Sequence, residues 1–278
     1  CAIPYIRGKY RSRPMEGIIS EAEALAENGV KELIVVAQDT TRYGIDLYGE
    51  KKLPQLLHKL CEIEKIKWVR VHYCYPEETD EAIIDAFASE EKIVKYMDIP
   101  VQHGSDSVLR RMGRRTNRAQ IEALVKKLRD KMPGITLRTS IITGFPGETE
   151  EEFAELCDFL KTVRFDRVGA FAYSCEDGTP AARMQNQIPE EVRTERRKRV
   201  MELSQQISLE RNLSMLGKTL TVMTEGFEDN LYYGRSEGES ADVDPKIYFA
   251  AHRDLAPGDF VQIKIKSADE YDLCGEEI

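Results

Sequence analysis

The sequence predicts an α/β protein: a parallel sheet built from repeated strand–helix units, followed by a small antiparallel β-barrel. Three observations predict it. Between residues 32 and 173, short apolar runs alternate five times with segments of helical periodicity, and the links are short. A long charged helix follows, from about 190 to 216. After Gly217 the pattern becomes short alternating runs separated by Gly and Asp turns. Strands joined through helices must pair in parallel, and the repeated right-handed crossover curls such a sheet.

In chain order, Cys1 opens a basic, aromatic loop containing Pro4 and Gly8 that runs to Arg11-Ser12-Arg13. Pro14 marks the entry to a helix carrying Met15, Ile18, Ile19, Ala22 and Leu25, which ends at Asn28-Gly29. The apolar run 32–37 reads as a buried strand. Leu53, Leu56, Leu57 and Leu60 then mark a helix, 68–73 a strand, Ile83, Ile84 and Phe87 a helix, and 96–101 a strand. Ile121 to Leu128 is helical, 137–143 a strand, Phe153 to Leu160 helical, and 168–173 the fifth strand. In the last part, 220–224, 232–235 and 260–266 read as strands of the small barrel.

The chain has 278 residues, 41% hydrophobic and 32% charged, enough for one large domain and a small one. Its apolar runs are far too short to span a bilayer. A formal net charge of −9 argues against wholesale nucleic-acid binding. The six cysteines (1, 61, 74, 157, 175 and 274) form no C-x-x-C pair. Cys61 and Cys157 fall on apolar helix faces. Cys74, Cys175 and Cys274 have the numbers for a disulfide, but a charged, lysine-rich chain of this size reads as cytoplasmic with reduced thiols.

Polar clusters fall where strands end: Gln38-Asp39, Gln102-His103-Gly104-Ser105, and Gly144 to Glu148. Sheets of this kind carry their chemistry at the carboxyl ends of the strands. Each cluster alone suits ordinary turn and cap chemistry, with Thr40, Ser105 and Thr149 as candidate caps; three on one rim point to a ligand site. From Gly217 onward, six Lys and Arg face fourteen Asp and Glu. A phosphate-tracking surface needs the opposite sign. Two readings stand, a solvated acidic face or a docking surface for a basic macromolecule.

Several motifs, taken together, resemble one family. Cys1-Ala2-Ile3-Pro4-Tyr5-Ile6-Arg7-Gly8-Lys9-Tyr10-Arg11-Ser12-Arg13-Pro14 is similar to the tail of the cluster loop of radical-SAM methylthiotransferases. Ala37-Gln38-Asp39-Thr40-Thr41, Pro100-Val101-Gln102-His103-Gly104-Ser105-Asp106 and Gly144-Phe145-Pro146-Gly147-Glu148-Thr149 resemble further motifs in the same order. The last sixty residues look like a TRAM domain. The resemblance implies a partial (β/α)6 radical-SAM barrel over 1–216 and a TRAM-like barrel over 217–278. It implies a [4Fe–4S] cluster (two in the full family pattern), S-adenosyl-L-methionine (SAM) and an electron donor. In the family, a C-x-x-x-C-x-x-C loop binds the cluster, and Cys1 matches its third cysteine. The first barrel strand, the other two cysteines and an N-terminal domain have no counterpart here. A chain beginning at Cys1 is therefore expected not to hold the radical cluster by itself.

The Gln-Asp-Thr-Thr and Gln-His-Gly-Ser variants look more like the RimO-type branch, which modifies an aspartate of small-subunit ribosomal protein S12, than the tRNA-modifying branch. A basic S12 substrate agrees with the acidic barrel. The resemblance casts Cys1 as an iron ligand, Ser12 and Arg13 as holding the SAM carboxylate, and Gln38, Asp39 and Gln102 as meeting its polar parts. Arg138 flanks the nucleoside, and Gly144 lets backbone approach closely. Glu148 reads as the cap of the next helix. His103 reads either as a substrate contact or as a hydrogen-bonded loop histidine. The rivals are a tRNA adenosine methylthiotransferase, which needs a basic path, and a non-catalytic macromolecule-binding module, which needs no SAM.

Overall fold

The computed structural model describes residues 3–278. α1 (Ile3–Arg7) is one helical turn where the sequence predicts a loop; Gly8, at φ +77°, ends it. α2 (Met15–Glu27) follows, with Gly29 in the left-handed region behind it. The parallel sheet is built from β1 (Glu32–Val35), β2 (Trp68–Val71), β3 (Ile93–Asp98), β4 (Thr136–Thr143) and β5 (Arg167–Ala172), in the order β1-β2-β3-β4-β5. Between them come α3 (Ile45–Tyr48) and α4 (Leu53–Cys61), then α5 (Glu81–Ser89), then α6 (Asp106–Arg111) and α7 (Arg118–Lys131), then α8 (Glu150–Val163). α9 (Glu190–Leu213) packs along β4 and β5.

The five predicted strand–helix units are present, with α3 and α6 as additional short helices. β3 begins at Ile93, three residues before the predicted start, because Ile93 and Val94 are buried on opposite faces of the sheet. β1 differs from the expectation of a buried strand. Leu33 is buried, but Ile34 is 36% and Val36 60% exposed. β1 is an edge strand, and only its helix-facing side is covered.

The C-terminal barrel contains β6 (Thr219–Glu228), β7 (Leu231–Arg235), β8 (Ile247–Ala250), β9 (Phe260–Ala268) and β10 (Leu273–Glu277). It closes in the order β10-β8-β7-β6-β9. The expectation of an antiparallel barrel needs one correction: β10 and β8 pair in parallel. Five strands in a closed ring cannot alternate in direction all the way round, so one pair must run the same way. β8 and β10 are the strands missing from the sequence reading; both are short and lack a clean alternation.

Cys61 and Cys157 belong to the helix-side core, as expected. All cysteines among residues 3–278 are free thiols. Burial pushes the Cys61 and Cys74 thiols up to about 12, so neither is a ready thiolate.

Thr149 caps α8 in a reciprocal box with Glu152, whose carboxylate also receives Arg111 and the Ser107 hydroxyl. The Arg111 hydrogen bond, then Ser107, outweigh burial and hold the Glu152 carboxyl down from 4.5 to about 2. A depressed folded-state pKa adds stability above the unfolded value, and that stability is lost as pH falls. Thermal melts should therefore show Glu152→Gln less stable than wild type at pH 7. The gap should close as the pH drops from 4.5 towards 2.

Candidate active site on the helix-free face of the sheet

Side chains alternate across a strand, so each strand gives one set of residues to the helices and the other to the opposite face. Leu33, Val69, Val71, Met97, Leu137, Ile141 and Ala170 join the helix-side core. Glu32, Ile34, Arg70, Tyr96, Asp98, Arg138, Ser140, Gly169 and Phe171 therefore face the other way, and His72 continues that row beyond β2.

The two halves of that face differ. The amino-terminal half of that face, together with His72 beyond β2, is covered by the end of β7 and the segment joining it to β8. Glu32 receives Arg70 at 2.8 Å and Arg235 at 2.6 Å. Arg167 meets Glu239 at 3.1 Å. The Tyr96 hydroxyl donates to Asp244 at 2.6 Å, and the Ser240 hydroxyl lies 2.8 Å from His72 Nε2. Trp68, Val94 and Tyr96 pack against Met223 and Phe260. At the carboxyl ends the face is open, with Val36, Tyr73 and Phe171 (56% exposed) along it.

Four of the fourteen acids after Gly217 do not belong to the acidic surface. Glu225, Glu237, Glu239 and Asp244 turn inward to Arg235, the Lys95 backbone N–H, Arg167 and Tyr96. Two of these four meet buried arginines, Arg235 and Arg167, while other acids of the segment, among them Glu228, Asp229, Asp242 and Glu276, stay exposed.

Ser12, Arg13 and Gln38 line one groove of about 1250 Å³ that runs over the open edge of β1, walled by α2, the apolar side of α4 and the segment 7–13, with Tyr73 at its edge; Gln102 and Arg138 do not line it. The Ser12 hydroxyl donates to Asp46 at 2.6 Å and accepts from Gly44 N–H at 3.0 Å. Arg13 pairs with Glu21 at 2.6 Å, both exposed, and its carbonyl accepts the Tyr43 hydroxyl. Asp39 accepts the Thr41 N–H at 3.0 Å and its hydroxyl, closing a turn; burial pushes its carboxyl above the ordinary range. Gln102 sits at φ +74° beyond β3, its backbone clipped between Ser140 and Ile142. Arg138 lies on the open-sided face, 3.0 Å from Asp98. Cys1 lies outside the described residues.

Gly144 is explained by packing. Its φ is +70°, and a Cβ there would stand 2.1 Å from Arg193 Cγ on α9. Glu148 is no helix cap, since Thr149 holds that position. Its buried carboxylate accepts Gly144 N–H at 2.9 Å and Arg196 at 2.7 Å. His103 is fully buried, accepts Ser105 N–H at 3.0 Å and lies 3.2 Å from Glu148. It is the hydrogen-bonded loop histidine. Thr40 is no cap either; its hydroxyl donates to the His72 and Tyr73 carbonyls. Ser105 takes the N-cap position of α6 without a side-chain cap bond.

Sequence reasoning missed Tyr73 and Asp98. Tyr73 stands at φ +58°, an outlier for a bulky residue, at the end of β2. Asp98 is 1% exposed. A lone acid inside the apolar run Tyr96-Met97-Asp98-Ile99-Pro100 was the available signal.

The family model described as the radical SAM superfamily matches residues 1–160, and one described as a TRAM domain matches 216–278. The chain belongs to the radical SAM superfamily. It is 51% identical over 277 residues to the ribosomal protein uS12 methylthiotransferase RimO of Lachnoclostridium phytofermentans, covering 99% of this chain and 63% of that protein. It is 51% identical over 276 residues to the protein of the same name from Caldanaerobacter subterraneus subsp. tengcongensis, again covering 99% and 63%. The chain thus spans about 63% of the length of these relatives. Coproporphyrinogen III oxidase (HemN) from Escherichia coli, titled a radical SAM enzyme, has the same fold. Its TM-score is 0.52 at 17% identity, over 70% of this chain and 46% of that one.

The residues fit the two implied cofactors differently. The large groove, with a hydroxyl, a guanidinium and an amide on apolar walls, suits an amino acid joined to a nucleoside. Among the described residues, no group of three or more His, Cys, Asp or Glu is placed to hold a metal. They supply no donor set for an iron–sulfur cluster.

Proposed function

We propose that this chain is the radical-SAM and TRAM portion, divided at 216/217, of a cytoplasmic methylthiotransferase that modifies an aspartate β-carbon of ribosomal protein S12. The observation that carries the reading is half-identity across 99% of the chain, through both parts, to proteins named for that activity. No helix among the described residues is long and apolar enough to cross a membrane.

When bound, SAM supplies the carbon radical that opens an unactivated C–H bond, and a second SAM the methyl group. This chain's residues bind and orient it. In this reading Ser12 and Arg13 receive the carboxylate, Arg13 by exchanging Glu21 for a bidentate pair. Gln38 and Gln102 meet the polar groups, Arg138 flanks the nucleoside, and Tyr73 and Phe171 wall off water. Asp39 and Gly144 shape the two loops. Cys1 serves as an iron ligand in the parent protein.

The test uses the full-length parent protein with its clusters reconstituted, given SAM, reductant, a sulfur source and either S12 or tRNA. The expected result is a methylthio mass increment on one S12 aspartate. Modification of an adenosine in tRNA instead, with salt-dependent binding, would overturn it.

A further inference from the structure

The loop between β7 and β8 reaches into the sheet and ends beside a residue of the ligand face. Asp244 is 3% exposed at its side chain, and its carboxylate lies 3.9 Å from Arg138 Nε. On the other side, Arg138 Nη1 meets the equally buried Asp98 at 3.0 Å. The guanidinium is thus held between one acid from β3 and one from the C-terminal barrel.

Both acids are themselves fixed. Asp244 accepts the Tyr96 hydroxyl at 2.6 Å and Ser240 N–H at 2.9 Å. Burial keeps the Tyr96 phenol protonated, so it donates. Asp98 accepts Tyr73 N–H at 3.2 Å. Tyr73 needs that hold, because a bulky residue at φ +58° is held in a strained, left-handed backbone conformation. The Thr40 N–H at 3.2 Å and the Thr40 hydroxyl at 3.1 Å hold the Tyr73 carbonyl from the other side. A chain of contacts therefore runs from the barrel loop through Asp244, Arg138 and Asp98 to Tyr73 on the open half.

We propose that Asp244 is a positioning residue for the ligand site: the C-terminal barrel, through Asp244, orients Arg138 and with it Asp98 and Tyr73. The proposal rests on the functional reading above, in which Arg138 flanks the nucleoside. It gives the barrel a task inside the sheet, separate from any contact with a macromolecular substrate. Without Asp244, Arg138 has only Asp98 to pair with, and draws that carboxylate away from Tyr73 N–H.

The test is calorimetric binding of S-adenosylhomocysteine to the full-length, cluster-loaded protein, as wild type, Asp244→Asn, Tyr96→Phe, Arg138→Gln and the double variant Asp244→Asn/Arg138→Gln. Asp244→Asn should weaken binding about tenfold. It should add less than about twofold in the Arg138→Gln background, because residues acting through one another are not additive. Tyr96→Phe, which frees the Asp244 carboxylate, should weaken binding in the same direction and covers the case in which Asp244→Asn does not fold. A purely structural role would lower the melting temperature and give the same loss in both backgrounds. That additivity, or unchanged binding in both Asp244→Asn and Tyr96→Phe, overturns the proposal while leaving the functional reading intact. Unchanged binding in Arg138→Gln also overturns it. Failure of the wild type to bind S-adenosylhomocysteine strikes the functional reading itself, and this proposal with it.

Discussion

Glu32→Ala is expected to destabilise the protein by about 3–5 kcal/mol, measured by chemical denaturation. Glu32 is the first residue of β1, and its two oxygens hold Arg70 at 2.8 Å and Arg235 at 2.6 Å. All three side chains are at most 5% exposed. Removing the carboxylate strands Arg70 without an acid, and a buried charge lacking its partner costs far more than an exposed pair contributes. Arg235 retains Glu225 at 2.6 Å, so the loss centres on Arg70. Because Arg70 belongs to the sheet and Arg235 to the barrel, the substitution also loosens the contact between them. The exposed pair Lys65–Glu27 provides the control, and Glu27→Ala should change stability little. Equal effects of the two substitutions would show that burial is not what gives the Glu32 cluster its weight.

Gly144→Ala should cost about 3 kcal/mol and displace the start of α9. Two penalties combine. The backbone sits at φ +70°, where a Cβ is disfavoured. The new carbon would also lie 2.8 Å from Arg193 Cβ and 3.0 Å from its Cα, which no side-chain rotation relieves. Gly147 separates the two terms: its φ is +77°, but a Cβ there meets nothing closer than Arg111 Nε at 3.9 Å. Gly147→Ala should therefore carry only the backbone cost, about 1 kcal/mol. Hydrogen exchange along α9 checks the displacement, with protection falling in Gly144→Ala and held in Gly147→Ala.

The parallel sheet and its helices were legible because a period of two or of 3.6 in apolar residues is a local property. Leu53, Leu56, Leu57 and Leu60 are all buried on one face of α4, as their spacing requires. The Thr149 cap was equally local. The barrel was legible as a class but not in detail, since β8 and β10 take their register from closure rather than from their own sequence. The site was legible in part. Ser12, Arg13 and Gln38 come to one groove, whereas Gly144 and Glu148 serve the seating of α9. Gly144 looks the same in sequence as a ligand-binding glycine, because a glycine needed for close approach does not reveal what approaches.

The amino-acid sequence by itself determined the strand–helix alternation, the switch to short strands after Gly217, and the motifs that mark the family. Only the tertiary structure decided where the acidic residues of the last part go. Charge counts add along a chain, but a carboxylate's partner depends on which distant segment folds against it. Glu239 and Asp244 meet arginines more than seventy residues away, and so serve the interior of the sheet rather than the surface.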